Sequence, residues 1–355
     1  MKNSNINCKM YKNKCQKYVL VTISLFLLST IWGCNITNNE PITSTTFALD
    51  TIVSITIYDS KDESILNGAI DLVEEYEKIY SKTLVDGELF KLNNRTLTSI
   101  DVSPYTCQIS DELRELLEYA LEYSSLSDGA FDITIEPLSS LWDFKAKDPK
   151  VPDSSLISEA VKKVGYKNIK LNKNIIVLEN EDTRIELGAI AKGYIADKVK
   201  EYLLEEGVES AIIDLGGNIL CLGGKNDSEQ FKIGIQKPFA DRNEVIATMD
   251  IKNMSVVTSG IYERSFVEDD KTYHHILNPN TGYSYDNNLL SVTIISPKSM
   301  DADALSTTCF ALGLDEGMDL INTLESTYAI FISKDYEFHY SEGFHDDINV
   351  RYIFK

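Results

Sequence analysis

Residues 289–313, LLSVTIISPKSMDADALSTTCFALG, read as strand, turn and helix. The apolar run 289–297 is the strand, and Leu305, Phe310, Ala311 and Leu312 supply a core-facing helix that stops at Gly313. The polar residues in that helix have two readings. Asp303 and Thr307 lie four apart, on one helix face with Cβ atoms about 5–6 Å from each other. Carboxylate and hydroxyl are hard oxygen ligands of the kind that suits Mg2+ rather than zinc, and Ser306 is near enough to contribute. Alternatively the aspartates only start a helix, since Asp is among the best N-caps, and Asp301 heads the segment. From these residues alone both readings stand.

Outward from this unit, strand and helix patterns alternate. TIVSITIYD (51–59) alternates as a strand, ILNGAIDLVEEYEKIYSK (65–82) has helical periodicity, and ELRELLEYALEYSS (112–125) is a second helix with one apolar face. Short strands are expected at 175–180 and 184–188, then a helix over 189–207 closed by Gly207, then a series of strands and turns, with further strands near YAIFIS and FHYSEGF. No internal repeat or linker-like break follows residue 47. The pattern predicts one α+β domain over 47–355.

The N-terminus has a different composition. Five lysines and no acid precede VLVTISLFLLSTIW (19–32), which is the layout of an export signal and short for a membrane span. It ends in Ile31-Trp32-Gly33-Cys34, similar to a bacterial lipobox, so residues 1–33 are expected to be a lipoprotein signal and Cys34 the lipidated residue. An uncleaved anchor helix is the other reading, and both place the body outside the cytoplasmic membrane. Residues 34–46 are polar after Cys34 and read as a tether.

Net charge is −21, and it falls to −26 once the signal is removed, with 29 basic against 55 acidic side chains. Such a surface argues against nucleic acid, whose binding rests on neutralising phosphates. An anionic ligand therefore needs local compensation. Of six cysteines, Cys107, Cys221 and Cys309 remain in the body, without CxxC spacing, and read as buried thiols.

Four further segments carry candidate chemistry. SDGAFDITIEPLSSLWDF (127–144) sets Gly129 and Asp132 in a turn, which is either a site or a plain loop. In ELGAIAKGYIAD (186–197), Lys192 and Gly193 occupy the first turns of a helix, where backbone N–H groups already favour an anion. Glycine there costs about 1 kcal/mol against Ala, so something approaches closely, although a surface lysine explains the segment equally. Gly216-Gly217 in IDLGGNIL is a weak nucleotide fingerprint or a tight turn. His275 in YHHILNPNTGYS (273–284) precedes the 278–282 turn, a position suited to an acid/base group, though a lone His is commonly structural.

In order and spacing, SDGAFDIT, LGAIAKGYIAD, DLGGN, TSGIYERSF (258–266), HILNPNTG and DADALST resemble the ApbE-type FAD:protein FMN transferases, from ALDT (48–51) to about the C-terminus. The resemblance implies an α+β fold with a mixed or antiparallel sheet and flanking helices, related to the T-fold. It also implies a Mg2+-dependent enzyme that splits FAD, transfers FMN to a threonine hydroxyl of a target flavoprotein and releases AMP. By position, Asp303 and Thr307 match metal ligands, with the Ala189 carbonyl and Ser306 beside them. Leu49, Thr83, Ala130, Phe131, Asp132, Glu186, Lys192 and Ile276 match flavin-nucleotide contacts, and His275 matches the acid/base residue. The implied acceptor belongs to a membrane or extracellular electron-transfer system, and the enzyme is lipid-anchored on the outer side of the cell membrane. FAD hydrolysis to FMN and AMP, or FAD carriage without catalysis, are the alternatives. Asn278 stands where the family has Asp, losing a charge, and Thr83 is near a position often held by a flavin-stacking aromatic.

Overall fold

Eight strands form an antiparallel sheet in the spatial order Ile42–Ala48, Thr51–Ile57, Ala211–Leu215, Asn218–Leu222, Ser255–Gly260, Leu289–Ser296, Tyr328–Ser333 and Phe338–Tyr340. The computed structural model describes residues 40–225, 229–241 and 244–353. Every neighbouring pair in this sheet is antiparallel, so of the two expected sheet types the mixed one is not used. The expected signal (1–33), Cys34 and residues 35–39 of the tether lie outside the described residues.

The period-2 alternation of strands explains how one sheet serves two cores. Ile213 and Leu220 face a core shared with the helices Glu63–Tyr80 and Ala191–Glu205. Their sequence neighbours Ile212, Ile219 and Cys221 turn to the opposite face, against a core that includes the strands Phe231–Gln236 and Val245–Ile251. Strand Leu289–Ser296 is buried at every residue, which is why its sequence is an unbroken apolar run rather than an alternating one. Cys107, Cys221 and Cys309 are free and buried, as expected.

Three local expectations change. Residues 42–46, expected in the tether, form most of the first strand, paired in register with 53–57. Four of these five residues are β-branched, a strand preference that their polarity conceals. Residues 184–188, expected as a strand, are not one. The Ile185 N–H instead donates to the Asn93 side chain (2.8 Å) and the Glu186 N–H to the Ile133 carbonyl (2.8 Å). Asp301 does not cap its helix, which starts earlier, at Ser299. It lies in the first turn and accepts a hydrogen bond from the Tyr123 hydroxyl at 2.9 Å. The paired glycines 216 and 217 both have positive φ and close a two-residue hairpin between Leu215 and Asn218, so the tight-turn reading is the right one.

Helix Ser299–Leu312 is buried nearly all round, with Met300 and Ala304 in one core and Ala302, Leu305, Cys309 and Phe310 in the other. Ala311 and Leu312, expected in the core, are only partly buried at the helix end. This helix crosses the Ala191–Glu205 helix backbone to backbone. A Cβ on Gly193 would stand 2.3 Å from the Ser299 carbonyl oxygen and 2.7 Å from the Met300 Cα. The close approach inferred for Gly193 is therefore another helix, not a ligand.

The crossing is clamped from both sides. Asp303 accepts the Gly193 N–H at 3.0 Å. In return Asp197 accepts the N–H groups of Ser299 and Met300, each at 2.9 Å. Each helix thus supplies the carboxylate that caps the start of the other, where unpaired N–H groups and the helix dipole favour negative charge. Burial outweighs these bonds for Asp197 and pushes its carboxyl up to about 6.

Gly193→Ala should destabilise the protein by about 1–3 kcal/mol, because the contacting atoms are backbone and cannot swing away. Denaturant unfolding measures this, and unchanged stability would show that the crossing is looser than described.

Candidate active site

Helix geometry places Asp303 and Thr307 on the buried face that meets the Ala191–Glu205 helix and strand Ser255–Gly260. Asp303 is 4% exposed. Besides the Gly193 amide, its two oxygens lie 3.3 and 3.4 Å from Lys192 Nζ, which also donates to the Gly188 carbonyl at 3.0 Å. Ser259 joins the cluster, with its hydroxyl 2.8 Å from Ser306 Oγ and 3.0 Å from Thr307 Oγ1. Ser306 Oγ also donates to the Asp303 carbonyl at 2.9 Å. Because the Gly193 N–H is taken by Asp303, the Ala189 carbonyl accepts no hydrogen bond among the described residues.

This donor set fits a hard divalent cation. It offers one buried carboxylate, two hydroxyls and an unpartnered carbonyl, all oxygen. Among the described residues no group of three or more His, Cys, Asp or Glu side chains is placed to hold a metal, as expected for a set with a single carboxylate.

His275 sits just past strand Lys271–His274, with its backbone N–H on the Arg264 carbonyl at 3.1 Å. The residue is half-buried, and its Nδ1 is enclosed without a hydrogen-bond partner among the described residues. Burial, then the charge of Arg264, pushes the imidazole down to about 3, and Lys192 adds to the effect. The charge of Lys192, the smallest of these influences, nevertheless reaches the ring. His274, by contrast, is structural: its Nε2 is 2.9 Å from the Tyr285 carbonyl and its ring packs edge-on against Phe310.

A second group of expected residues surrounds Glu186. Its carboxylate pairs with Lys82 at 2.9 Å and accepts from the Ser139 hydroxyl, which also receives Lys82 at 2.8 Å. Thr83 is exposed beside Lys82. Asp132 turns inward: it accepts the Thr134 N–H (2.7 Å) and hydroxyl (2.6 Å) and the Tyr166 N–H (2.9 Å), so the carboxylate shapes its own loop. Burial raises it above the usual carboxylate range despite those bonds. Phe131 is buried, and the Ala130 carbonyl takes the Tyr285 hydroxyl at 3.0 Å. The Tyr285 N–H in turn donates to the Ile276 carbonyl at 3.0 Å, which ties the 130–132 turn to the His275 segment.

Leu49 belongs to the tight turn of the first hairpin. Leu49 and Asp50 have φ of 53° and 61°, the left-handed pair that a two-residue hairpin requires. That conformation costs a leucine about 1–2 kcal/mol. The Leu49 N–H is held by Glu77 Oε1 at 2.8 Å. Asp50 bonds Lys145 and Arg264, the latter at 3.2 Å. Asn278, the uncharged departure, accepts the Asn280 N–H at 2.8 Å and shapes its turn.

Ser259, Lys82, Arg264 and Asp197 were not singled out by sequence reasoning. Ser259 and Arg264 lie within TSGIYERSF and Asp197 ends AIAKGYIAD, so the motifs contained them, but only the packing shows what each touches. Lys82 had one signal, its place beside Thr83.

With both imidazoles desolvated, His274 and His275 should stay neutral down to about pH 4–5. Histidine ring NMR shifts, assigned with His275→Ala, measure this. A His275 midpoint between about 6 and 7, the ordinary range, would contradict the geometry.

Residues 49–332 match the model of the ApbE family. A protein of Klebsiella pneumoniae (strain 342), named FAD:protein FMN transferase, is 35% identical over 277 residues, covering 78% of this chain and 84% of its own. One from Treponema pallidum (strain Nichols) with the same name is 30% identical over 321 residues, covering 85% and 87%. Among solved structures, the ApbE protein of Thermotoga maritima MSB8 has a TM-score of 0.77 at 32% identity, covering 86% of this chain and 98% of that one. The flavin transferase ApbE from Vibrio cholerae has a TM-score of 0.76 at 25% identity, covering 86% and 99%.

Proposed function

The chain belongs to the ApbE family, and from that membership we propose that it transfers FMN from FAD to a threonine hydroxyl of a target flavoprotein, with Mg2+ as its metal. In this reaction the threonine oxygen bonds to the FMN phosphorus, the bond from that phosphorus to the bridging pyrophosphate oxygen breaks, AMP leaves, and the hydroxyl proton passes to a base. One observation carries the reading: the buried Asp303 carboxylate, held by the Lys192 ammonium and the Gly193 amide, lies one helical turn from the Thr307 hydroxyl that Ser259 holds.

Asp303, Thr307, Ser306 and the Ala189 carbonyl would hold the metal, with Ser259 fixing both hydroxyls. Bound there, a divalent cation supplies charge that polarises phosphoryl oxygens. The remaining work belongs to the protein. Phosphoryl transfer is largely positioning and charge stabilisation. A chain of net charge −21 must therefore gather cations locally, and the charges of Arg264 and, more weakly, Lys192 reach His275. His275 is neutral, so it has a lone pair for the threonine proton. No hydrogen bond holds its Nδ1 among the described residues, so either ring nitrogen can carry that lone pair. An arriving pyrophosphate offsets the charge of Arg264 and Lys192 and thereby raises the basicity of the ring.

The Glu186–Lys82–Ser139 group and the Leu49 turn are proposed to contact the flavin nucleotide, together with the 130–132 turn and Ile276. The acceptor is proposed to belong to a membrane or extracellular electron-transfer system. On the strength of the first 34 residues, the enzyme is proposed to be lipid-anchored through Cys34 outside the cytoplasmic membrane.

Incubation with FAD, Mg2+ and a threonine-bearing acceptor domain tests the reading. Flavin fluorescence on the denatured acceptor supports transfer. Free FMN with AMP would indicate hydrolysis instead, and unchanged FAD would indicate carriage. Asp303→Ala should abolish metal-dependent transfer while costing about 1–2 kcal/mol of stability through the lost helix cap. Full activity in that variant would remove the metal assignment. His275→Ala should keep FAD binding and slow transfer by about 10²–10⁴-fold, and a wild-type rate would retire it as the base.

A further inference from the structure

The ammonium of Lys192 lies on the same carboxylate that the proposed function assigns to the metal. Its distances to the two Asp303 oxygens, 3.3 and 3.4 Å, are longer than the roughly 2.7–2.9 Å of a strong charge-assisted bond. Its shorter contact, 3.0 Å, is to the Gly188 carbonyl. The lysine side chain is 26% exposed and Asp303 5%, so the amine has a route to solvent that the carboxylate lacks.

We infer that Lys192 is an exchangeable placeholder, which neutralises Asp303 while the site is empty and is released from it when a divalent cation binds. This inference rests on the metal reading given above. The reason for a placeholder is electrostatic. Asp303 is nearly fully buried, and among the described residues its only other partner on these oxygens is one backbone N–H. A buried carboxylate without a compensating charge is costly, and it is also the residue that caps the Gly193 turn. Lys192 supplies that charge, loosely enough to leave.

Exchange links two binding events. A cation on Asp303 frees a full positive charge in the first turn of the Ala191–Glu205 helix, where an anion is already favoured. The metal and the pyrophosphate-bearing substrate would then bind cooperatively, because each removes a reason for Lys192 to stay on Asp303. No bond is made or broken in this exchange; one cation replaces another.

Amine labelling with acetic anhydride, followed by peptide mass spectrometry, reads the state of Lys192 directly. It is run on the intact protein with Mg2+ alone, and Mg2+ binding is followed in parallel by the melting temperature. On saturation with Mg2+, labelling of Lys192 should rise about fivefold, the scale of losing an ion pair of this exposure. In Asp303→Asn it should be high from the outset and insensitive to Mg2+. Lys192→Met should bind Mg2+ more tightly than wild type, and in the absence of metal it should melt lower. A melting shift with no change in labelling overturns the placeholder and leaves the metal site standing. Absence of Mg2+ binding in both wild type and Lys192→Met overturns the metal reading and the placeholder with it. Binding confined to Lys192→Met supports the exchange, since it shows the lysine holding the cation off.

Discussion

Two carboxylates exchanged across one helix crossing hold the centre of this protein together. Asp303 reaches from one helix to the Gly193 amide of the other, and Asp197 reaches back to the Ser299 and Met300 amides. Contact at Gly193 leaves no room for a side chain between the two backbones. The arrangement fixes which way Asp303 points. It also frees the Ala189 carbonyl from the helix ladder and sets Lys192 over the carboxylate. The hydrogen bond by which Asp303 caps the neighbouring helix, rather than its own, also fixes the carboxylate beside Lys192.

Charge distribution follows from that centre. The chain is strongly acidic, yet three ion pairs involve residues of the candidate site: Lys192 with Asp303, Arg264 with Asp50, Lys82 with Glu186. Each pair leaves a cation that an anionic ligand can recruit without burying a new unpaired charge. The Leu49–Asp50 turn holds one of these pairs in place, at the cost of a leucine in left-handed conformation. Strain of this kind persists only where the surroundings enforce it, here through Glu77.

Much of this was legible in the sequence because its signals are local. Periodicity gave the helices near 65–82, 112–125 and 189–207, and the strand–turn–helix at 289–313, to within a few residues. Gly207 ends its helix with positive φ, as its position implied. What stayed hidden depends on distant partners. Residues 184–188 look like a strand, but their amides are taken by Asn93 and by the Ile133 carbonyl. Asp301 looks like a cap, yet the capping is done by Asp197, about a hundred residues away in sequence. Ser259 was visible in its motif and carried no mark of touching Thr307. Gly193 signalled a close approach correctly, and only packing shows that a helix makes it.

The central claim is that the crossing builds the site, so a change at Asp197, which touches none of the proposed ligands, should be felt in the chemistry. The most direct measurement is the FMN transfer rate of folded Asp197→Asn at saturating FAD and Mg2+. An amide can accept only one of the two helix amides without presenting its own N–H to the other. A fall of about tenfold or more in kcat is expected, because small displacements of positioned groups are expensive in this kind of catalysis. A folded Asp197→Asn protein that transfers FMN at the wild-type rate would contradict it.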